Sequence, residues 1–260
     1  MDLGLAGRRA LITGASRGIG RAIADVLAAE GCALDLASRD PAALERLAEE
    51  LRAAHQGITI AVHPVDLAKT ADQTALARAC PEIDILVNNA GANPPGTLAE
   101  IDDATWRAAW DLKMFGFINL TRAFYAGMAA RRRGVIINII GAAGERLNAG
   151  YIVGSTGNAG LMAFTRALGS ASPADGVRVL GINPGLTATE RATMLVESWS
   201  RTAFGTPDRV HELPQIKNLP FGRMAEAREI ADLAAFLASA RAAYISGTIV
   251  TIDGGAANRH

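Results

Sequence analysis

The sequence predicts an α/β fold in which a doubly wound parallel sheet of about seven strands carries helices on both faces. Three observations predict it. Short apolar runs recur along the chain at 10–12, 33–37, 59–65, 83–87, 135–140, 177–182 and 248–252, and helical periodicity fills the stretches between them. The run from Val135 to Ile140 has no polar alternation apart from Asn138, as expected of a strand covered on both sides. The first run passes through a glycine-rich turn straight into a helical pattern.

A chain of 260 residues that is half apolar can bury a large core. No linker divides it, and neither an internal repeat nor a low-complexity tract interrupts it, so residues 1–260 read as a single domain. The formal charge is zero, and Arg131-Arg132-Arg133 is short enough to be the basic end of a helix favoured by its dipole. Nucleic acid is not implied. No run is long enough for a signal peptide or a membrane span, which gives a cytoplasmic expectation with no membrane partner. Cys32 and Cys80 lack CxxC or Cys/His ligand spacing, so the sequence signals neither a metal nor a disulfide and predicts free thiols.

The glycine-rich turn is Thr13-Gly14-Ala15-Ser16-Arg17-Gly18-Ile19-Gly20. A strand entering a helix through such a turn leaves backbone N–H groups aimed at empty space, where a pyrophosphate can sit. Gly14 permits the tight turn, Gly18 lets a ligand approach, and Gly20 lets helix and strand pack closely. Dinucleotide binding follows. The second strand ends in Ser38-Arg39, then Asp40-Pro41 opens a helix. An acidic residue at this tip would bond both ribose hydroxyls and repel a 2′-phosphate. Here Arg39, with Arg17 from the first turn, offers two cations to that phosphate, so NADP(H) is favoured and NAD(H) is still admitted.

Further along, the third strand ends at Asp66 and the fourth runs into Asn88-Asn89-Ala90-Gly91. Trp106, Trp110, Met114, Phe117, Phe124 and Met128 predict one long helix over 103–131. Another helix is expected over 156–168, and the sixth strand ends in Asn183-Pro184-Gly185. Residues 190–220 read as an irregular lid on the substrate side. A last helix is expected over 225–239.

The glycine spacing, the Asn-Asn-Ala-Gly run and the Asn-Pro-Gly ending together resemble the short-chain dehydrogenase/reductase family, over nearly the whole chain. The resemblance implies a Rossmann-like domain that moves a hydride between nicotinamide and a carbonyl or alcohol carbon of a small molecule. It implies cofactor contacts from Gly14, Ser16, Arg17, Gly18, Ile19, Gly20, Ser38, Arg39, Asn88, Gly91, Pro184 and Gly185, with Asp66 beside the adenine amino group and Thr189 at the nicotinamide amide. Asp66 merely capping the next turn is the competing account. Relatives pair through the long helix, which implies a homodimer or homotetramer.

The family's chemistry uses an asparagine, a serine, a tyrosine and a lysine. In this chain those positions fall on Lys113, Gly141, Gly154 and Asn158, so all four are replaced. Lysine and asparagine stand exchanged. The sequence therefore offers Lys113 as a positive charge entering the cavity from the opposite wall, with Asn158 facing it, and Tyr151, Ser155 or Thr156 as a hydroxyl. Lys113 reaching solvent, or pairing with Asp111 or Glu145, is the alternative. Two functions follow: an oxidoreductase with a rebuilt proton-donor site, or a cofactor-holding subunit or dinucleotide sensor that pairs with an active relative.

Overall fold

The computed structural model describes residues 2–258. Its main sheet has seven parallel strands: β1 (Arg9–Thr13), β2 (Ala33–Ser38), β3 (Ile60–Pro64), β4 (Ile85–Asn88), β5 (Gly134–Ile139), β6 (Val177–Pro184) and, after two short strands, β9 (Ile249–Ile252). The short strands β7 (Thr187–Ala188) and β8 (Ala225–Glu226) pair with each other outside it. The sheet order is β3-β2-β1-β4-β5-β6-β9. The chain winds outward from β1 to β3, then crosses back to β4 on the other side of β1. Connections diverge at that boundary, and a crevice opens beyond the carboxyl ends of the strands.

The unbroken apolar runs are explained by what covers the sheet. Ala10 and Ile12 of β1, Ile85 and Val87 of β4, and Leu180 and Ile182 of β6 face α1 (Gly18–Ala29), α2 (Pro41–Ala54) and α9 (Ala227–Ala238). The alternate residues Leu11, Leu86 and Val179 face α3 (Thr70–Ala79) and α5 (Gly116–Ala130). Both faces are dry, so every strand residue gains from being apolar. Buried polar side chains are paired across strands: Asn88 Nδ2 donates to Asn138 Oδ1 at 2.9 Å, and Asn138 Nδ2 donates to Thr165 Oγ1 at 2.9 Å.

Three expectations differ from the structure. The helix over 103–131 is broken into α4 (Asp103–Trp110), a π turn at Asp111–Phe115, and α5. Its apolar stripe survives the one-residue slip, so periodicity alone does not reveal the break. The helix expected over 156–168 is α6 (Ile152–Ala171), beginning at once after Tyr151. The segment 190–220 is largely helical, with α7 (Glu190–Phe204), a 3₁₀ turn at Pro207–Glu212 and α8 (Pro214–Lys217). Thr189 caps α7 by accepting from Ala192 N at 3.2 Å, and Gly205 ends it in the left-handed region. No helix among the described residues is long and apolar enough to cross a membrane.

One arginine closes the far edge. Arg178 of β6 sends its guanidinium into the carboxyl end of α9 and donates to the carbonyls of Leu237, Ala238, Ser239 and Ala242 at 2.8–3.3 Å. The Leu237 and Ala238 carbonyls are acceptors left over at the helix end, while Ser239 and Ala242 also accept from the backbone N–H groups of Ala242 and Ile245. Arg178→Met keeps the stem and removes the partner of the Leu237 and Ala238 carbonyls, so unfolding in urea should show a loss of about 1–3 kcal/mol.

Candidate active site

The crevice over β1 and β4 is a cleft of about 1580 Å³, well above the volume a single drug-sized ligand needs. Its near wall is the first turn. Gly14 has φ +64°, and a Cβ there would stand 2.9 Å from Asn89 Nδ2. Asn89 pins this turn by donating to the carbonyl of Thr13 at 2.9 Å. A Cβ at Gly20 would lie 2.3 Å from the carbonyl oxygen of Gly14, so Gly20 lets α1 start against the turn without itself lining the cleft. Ser16, Arg17, Gly18 and Ile19 do line it.

At the end of β2, Ser38 Oγ is buried and has no hydrogen-bond partner among the described residues. Beside it Arg39 lines the cleft, as does Arg46 from α2, which the sequence reading missed. Neither guanidinium makes a hydrogen bond or an ion pair among the described residues. Arg17 is engaged elsewhere, 3.1 Å from Glu190 at the start of α7, where it bridges the cleft mouth. Two unpaired cations around an unsatisfied hydroxyl fit an anionic group on the ribose.

Two candidate cofactor contacts point away. Asn88 is fully buried in the network with Asn138 and Thr121, so its amide ties β4 to β5 and α5 rather than lining the cleft. Asp66 also lies outside the lining: its carboxylate accepts from Ala68 N at 3.2 Å and sits 3.8 Å from the Lys69 ammonium, which caps the turn. Its neighbours Val65 and Leu67 do line the cleft. So do Gly91, Pro184, Gly185 and Thr189.

The far wall is built on the end of β5. Lys113 sits in the π turn, where the extra residue re-aims it, and its stem runs along Gly91, where a Cβ would lie 2.7 Å from Lys113 Cδ. Its ammonium donates to the carbonyl of Ile140 at 2.5 Å. Among the described residues it pairs with no carboxylate, Asp111 and Glu145 included. Burial, helped by the nearby Arg191 guanidinium, pulls the Lys113 pKa down to about 7. From the other side, Asn158 Nδ2 donates to the carbonyl of Gly141 at 3.4 Å, while Asn158 Oδ1 is buried without a partner. Asn183 Oδ1 accepts from Gly141 N at 3.3 Å, and its amide donates to Glu145. The exchanged pair thus grips two consecutive carbonyls of one strand end.

Gly141 adopts φ +131° and ψ +138°, a conformation that side chains rarely take, so a serine would be strained there by the backbone. Gly154 is different. A Cβ at Gly154 would lie 2.0 Å from Tyr151 Cε1 and 2.3 Å from Cζ. The Tyr151 ring therefore occupies the space a side chain at 154 would use, and it lines the cleft with Lys113 and Asn158. The phenol enters from one turn earlier. Ser155 does not enter at all: its hydroxyl accepts from Asn148 N at 3.1 Å and donates to the carbonyl of Asn148 at 3.3 Å. Thr156 is spent likewise on the carbonyl of Ile152 at 2.8 Å.

The lid side adds residues with no sequence signal of their own. Arg191 donates to the carbonyl of Asn93 at 2.7 Å, and Met194, Leu195 and Trp199 of α7 complete the lining. An amphipathic helix hidden in a segment of mixed composition leaves them invisible as a set.

Residues 8–199 match the family model for short chain dehydrogenases. The chain belongs to this family. Short-chain dehydrogenases similar to it include galactitol 2-dehydrogenase (L-tagatose-forming) of Cereibacter sphaeroides, 35% identical over 96% of this chain and 95% of that protein. The 3-oxoacyl-acyl-carrier-protein reductase of Vibrio harveyi is 32% identical over 97% of this chain and 98% of that protein. Among solved structures, the L-sorbose reductase of Gluconobacter frateurii, complexed with NADPH and L-sorbose, superposes with a TM-score of 0.91 at 31% identity, covering all of both chains.

The Tyr151 ring and the empty position at 154 are expected to be energetically coupled. Gly154→Ala forces the ring out of its seat, whereas the same change in a Tyr151→Ala background fills vacated space. A double-mutant cycle read by urea unfolding should give a coupling of about 0.5–3 kcal/mol.

Proposed function

We propose that this short-chain dehydrogenase is an NADP(H)-dependent oxidoreductase acting on the carbonyl/alcohol pair of a small molecule, with Lys113 as its proton donor and acceptor. The observation that carries the reading is the Lys113 ammonium at the cleft wall, held on the Ile140 carbonyl and brought to a pKa of about 7. A general acid and base works best when its pKa lies near the working pH. Nicotinamide, when bound, supplies or takes up the hydride.

In the reductive direction Lys113 Nζ, as the ammonium, gives a proton to the oxygen of the carbonyl being reduced. In the oxidative direction the neutral amine takes the proton from the alcohol. Between turnovers its hydrogen bond to the Ile140 carbonyl keeps Nζ at one place, so the proton is delivered without a search. The Tyr151 hydroxyl has no protein partner among the described residues and can donate a hydrogen bond to the same oxygen, the part played by the missing serine. Asn158 Oδ1, also unpartnered, holds a water or a ribose hydroxyl on the opposite side. Leu195, Trp199 and the other α7 residues keep bulk water off the reacting carbon.

Arg39 and Arg46 are proposed to read the 2′-phosphate, which supports NADP(H) over NAD(H); solved relatives include one complexed with NADPH and one complexed with NADH, so the choice rests on the two arginines. The chain is further proposed to work as a homo-oligomer joined through α4 and α5, where Phe115 is left half exposed.

The reductive kcat/KM should be flat below pH about 7 and fall roughly tenfold per unit above it, because only the ammonium can give a proton; the oxidative direction should show the mirror profile. Lys113→Met should lower kcat by about 10²–10⁴ while NADPH still quenches Trp199 fluorescence. Lys113→Arg, which keeps the charge but stays protonated and so can neither give up nor take a proton near neutral pH, should fail as badly. Full activity in both variants would overturn the assignment. Wild-type protein that binds NADPH yet turns over no member of a carbonyl and alcohol panel would favour the non-catalytic subunit.

The ribose-end reading is checked separately by titration with each nucleotide. Arg39→Ala with Arg46→Ala should weaken NADPH by about tenfold or more and leave NADH nearly unchanged, with the NADPH affinity of the wild type falling as salt is raised.

A further inference from the structure

On the sheet face covered by α3 and α5, away from the cleft, three ligating side chains that the hydride reaction does not use converge. Parallel pairing sets Asp35 of β2 opposite Ala61 of β3, and Ala37 opposite His63, so Asp35 and His63 emerge on one face of neighbouring strands. Cys80 ends α3 and lowers its thiol onto them. His63 Nε2 lies 2.8 Å from Asp35 Oδ1, Cys80 Sγ lies 3.3 Å from the same oxygen, and Sγ lies 3.4 Å from Nε2. The three donor atoms form one small triangle.

We propose that Asp35 Oδ1, His63 Nε2 and Cys80 Sγ bind a single zinc-class divalent cation. The donor set is the first argument: one thiolate, one imidazole and one carboxylate suit a borderline-soft, four-coordinate ion and not magnesium or calcium, which take oxygen. Size is the second. Metal–ligand bonds of about 2.0–2.3 Å at tetrahedral angles put donors about 3.3–3.6 Å apart. Two sides of the triangle already meet that range, and the third needs an opening of about 0.5 Å, within the reach of an imidazole rotation.

Charge and support are the third. A thiolate and a carboxylate together cancel the charge of a divalent ion, so the three ligands and the ion are neutral as a set, with the Arg9 guanidinium outside it. Arg9 Nε donates to Asp35 Oδ2 at 2.7 Å and Nη2 to Oδ1 at 3.0 Å, fixing the carboxylate plane as an outer-shell partner would and leaving a lone pair of Oδ1 for the metal. Access is the fourth. Asp35 and Cys80 are buried, but the His63 side chain keeps 16% of its surface, so a water can reach the fourth position from that side. Binding replaces the Cys80 thiol proton, which leaves to solvent by the same route. The neutral His63 ring gives the ion its Nε2 lone pair and carries its one proton on Nδ1.

Sequence spacing hides this site because its ligands come from two strands and a helix end, with 17 positions separating Cys80 from His63 and 45 separating it from Asp35. β3 is the outermost strand on its side of the sheet. A metal here would clamp β3 and α3 to β2.

The test uses the full chain, stripped with a chelator and titrated with Co²⁺ and then Zn²⁺. The expected result is one Co²⁺ per chain with thiolate-to-cobalt absorption in the near ultraviolet, displaced by Zn²⁺, and a rise in the thermal midpoint on Zn²⁺ addition. Cys80→Ser should abolish the absorption and weaken Zn²⁺ by about 100-fold. His63→Ala, at a position that still touches solvent, should weaken it by about tenfold or more and serves if Cys80→Ser does not fold. Cys32→Ser, a buried thiol bonded to the Leu5 carbonyl, should change nothing. Unchanged NADPH quenching certifies the fold of each variant. No stoichiometric metal, a cobalt spectrum without the thiolate band, or Zn²⁺ held as tightly by His63→Ala as by the wild type would each overturn the proposal.

Discussion

The contact between an ammonium and the carbonyl of Ile140 governs the far wall of the cleft. A lysine stem laid over Gly91 and ending on a strand-terminal carbonyl carries a charge into a place with little water, and no carboxylate among the described residues pairs with it. The charged form is penalised and the amine titrates near neutrality instead. This arrangement needs the π turn, because a regular helix through Asp111–Phe115 would rotate the side chain away from the strand end. It also needs glycine at 91, where any side chain would meet the stem.

The sheet and the first turn were legible in the sequence for a common physical reason: each is set by short-range pattern. Alternate residues of β1, β4 and β6 enter two different cores, which is why these strands read as continuous apolar runs. The glycines of the first turn announce themselves because nothing else fits. What the sequence hid depends on slips and on partners distant along the chain. A single inserted helical residue leaves the stripe from Trp106 to Met128 apolar, so the π turn passes unnoticed, yet it decides where Lys113 points. The helix α7 was concealed by a composition that mixes Glu190 and Arg191 with Met194 and Trp199.

The same distinction separates the two ends of the cleft. At the ribose end the functional groups are adjacent in sequence to structural markers, and Ser38 and Arg39 follow directly from where β2 stops. Only Arg46, one helical turn into α2, required coordinates. On the far wall the cleft-lining groups come from places that no local motif marks. Lys113 and Asn158 put a donor on each side of the strand end, and the phenol of Tyr151 arrives from the residue that precedes α6. The function of such a site is read from which atoms reach the cleft, since the fold alone does not decide it.

The backbone at Gly141 has a consequence for substitution. With φ +131° it lies where a serine would be strained by about 1–3 kcal/mol, while the ring from position 151 bars a bulky residue at 154 and the amide at 158 already anchors the bent carbonyl. A side chain added singly at 141 or at 154 meets strain or the phenol ring, so both positions accept one only if their neighbours rearrange at the same time.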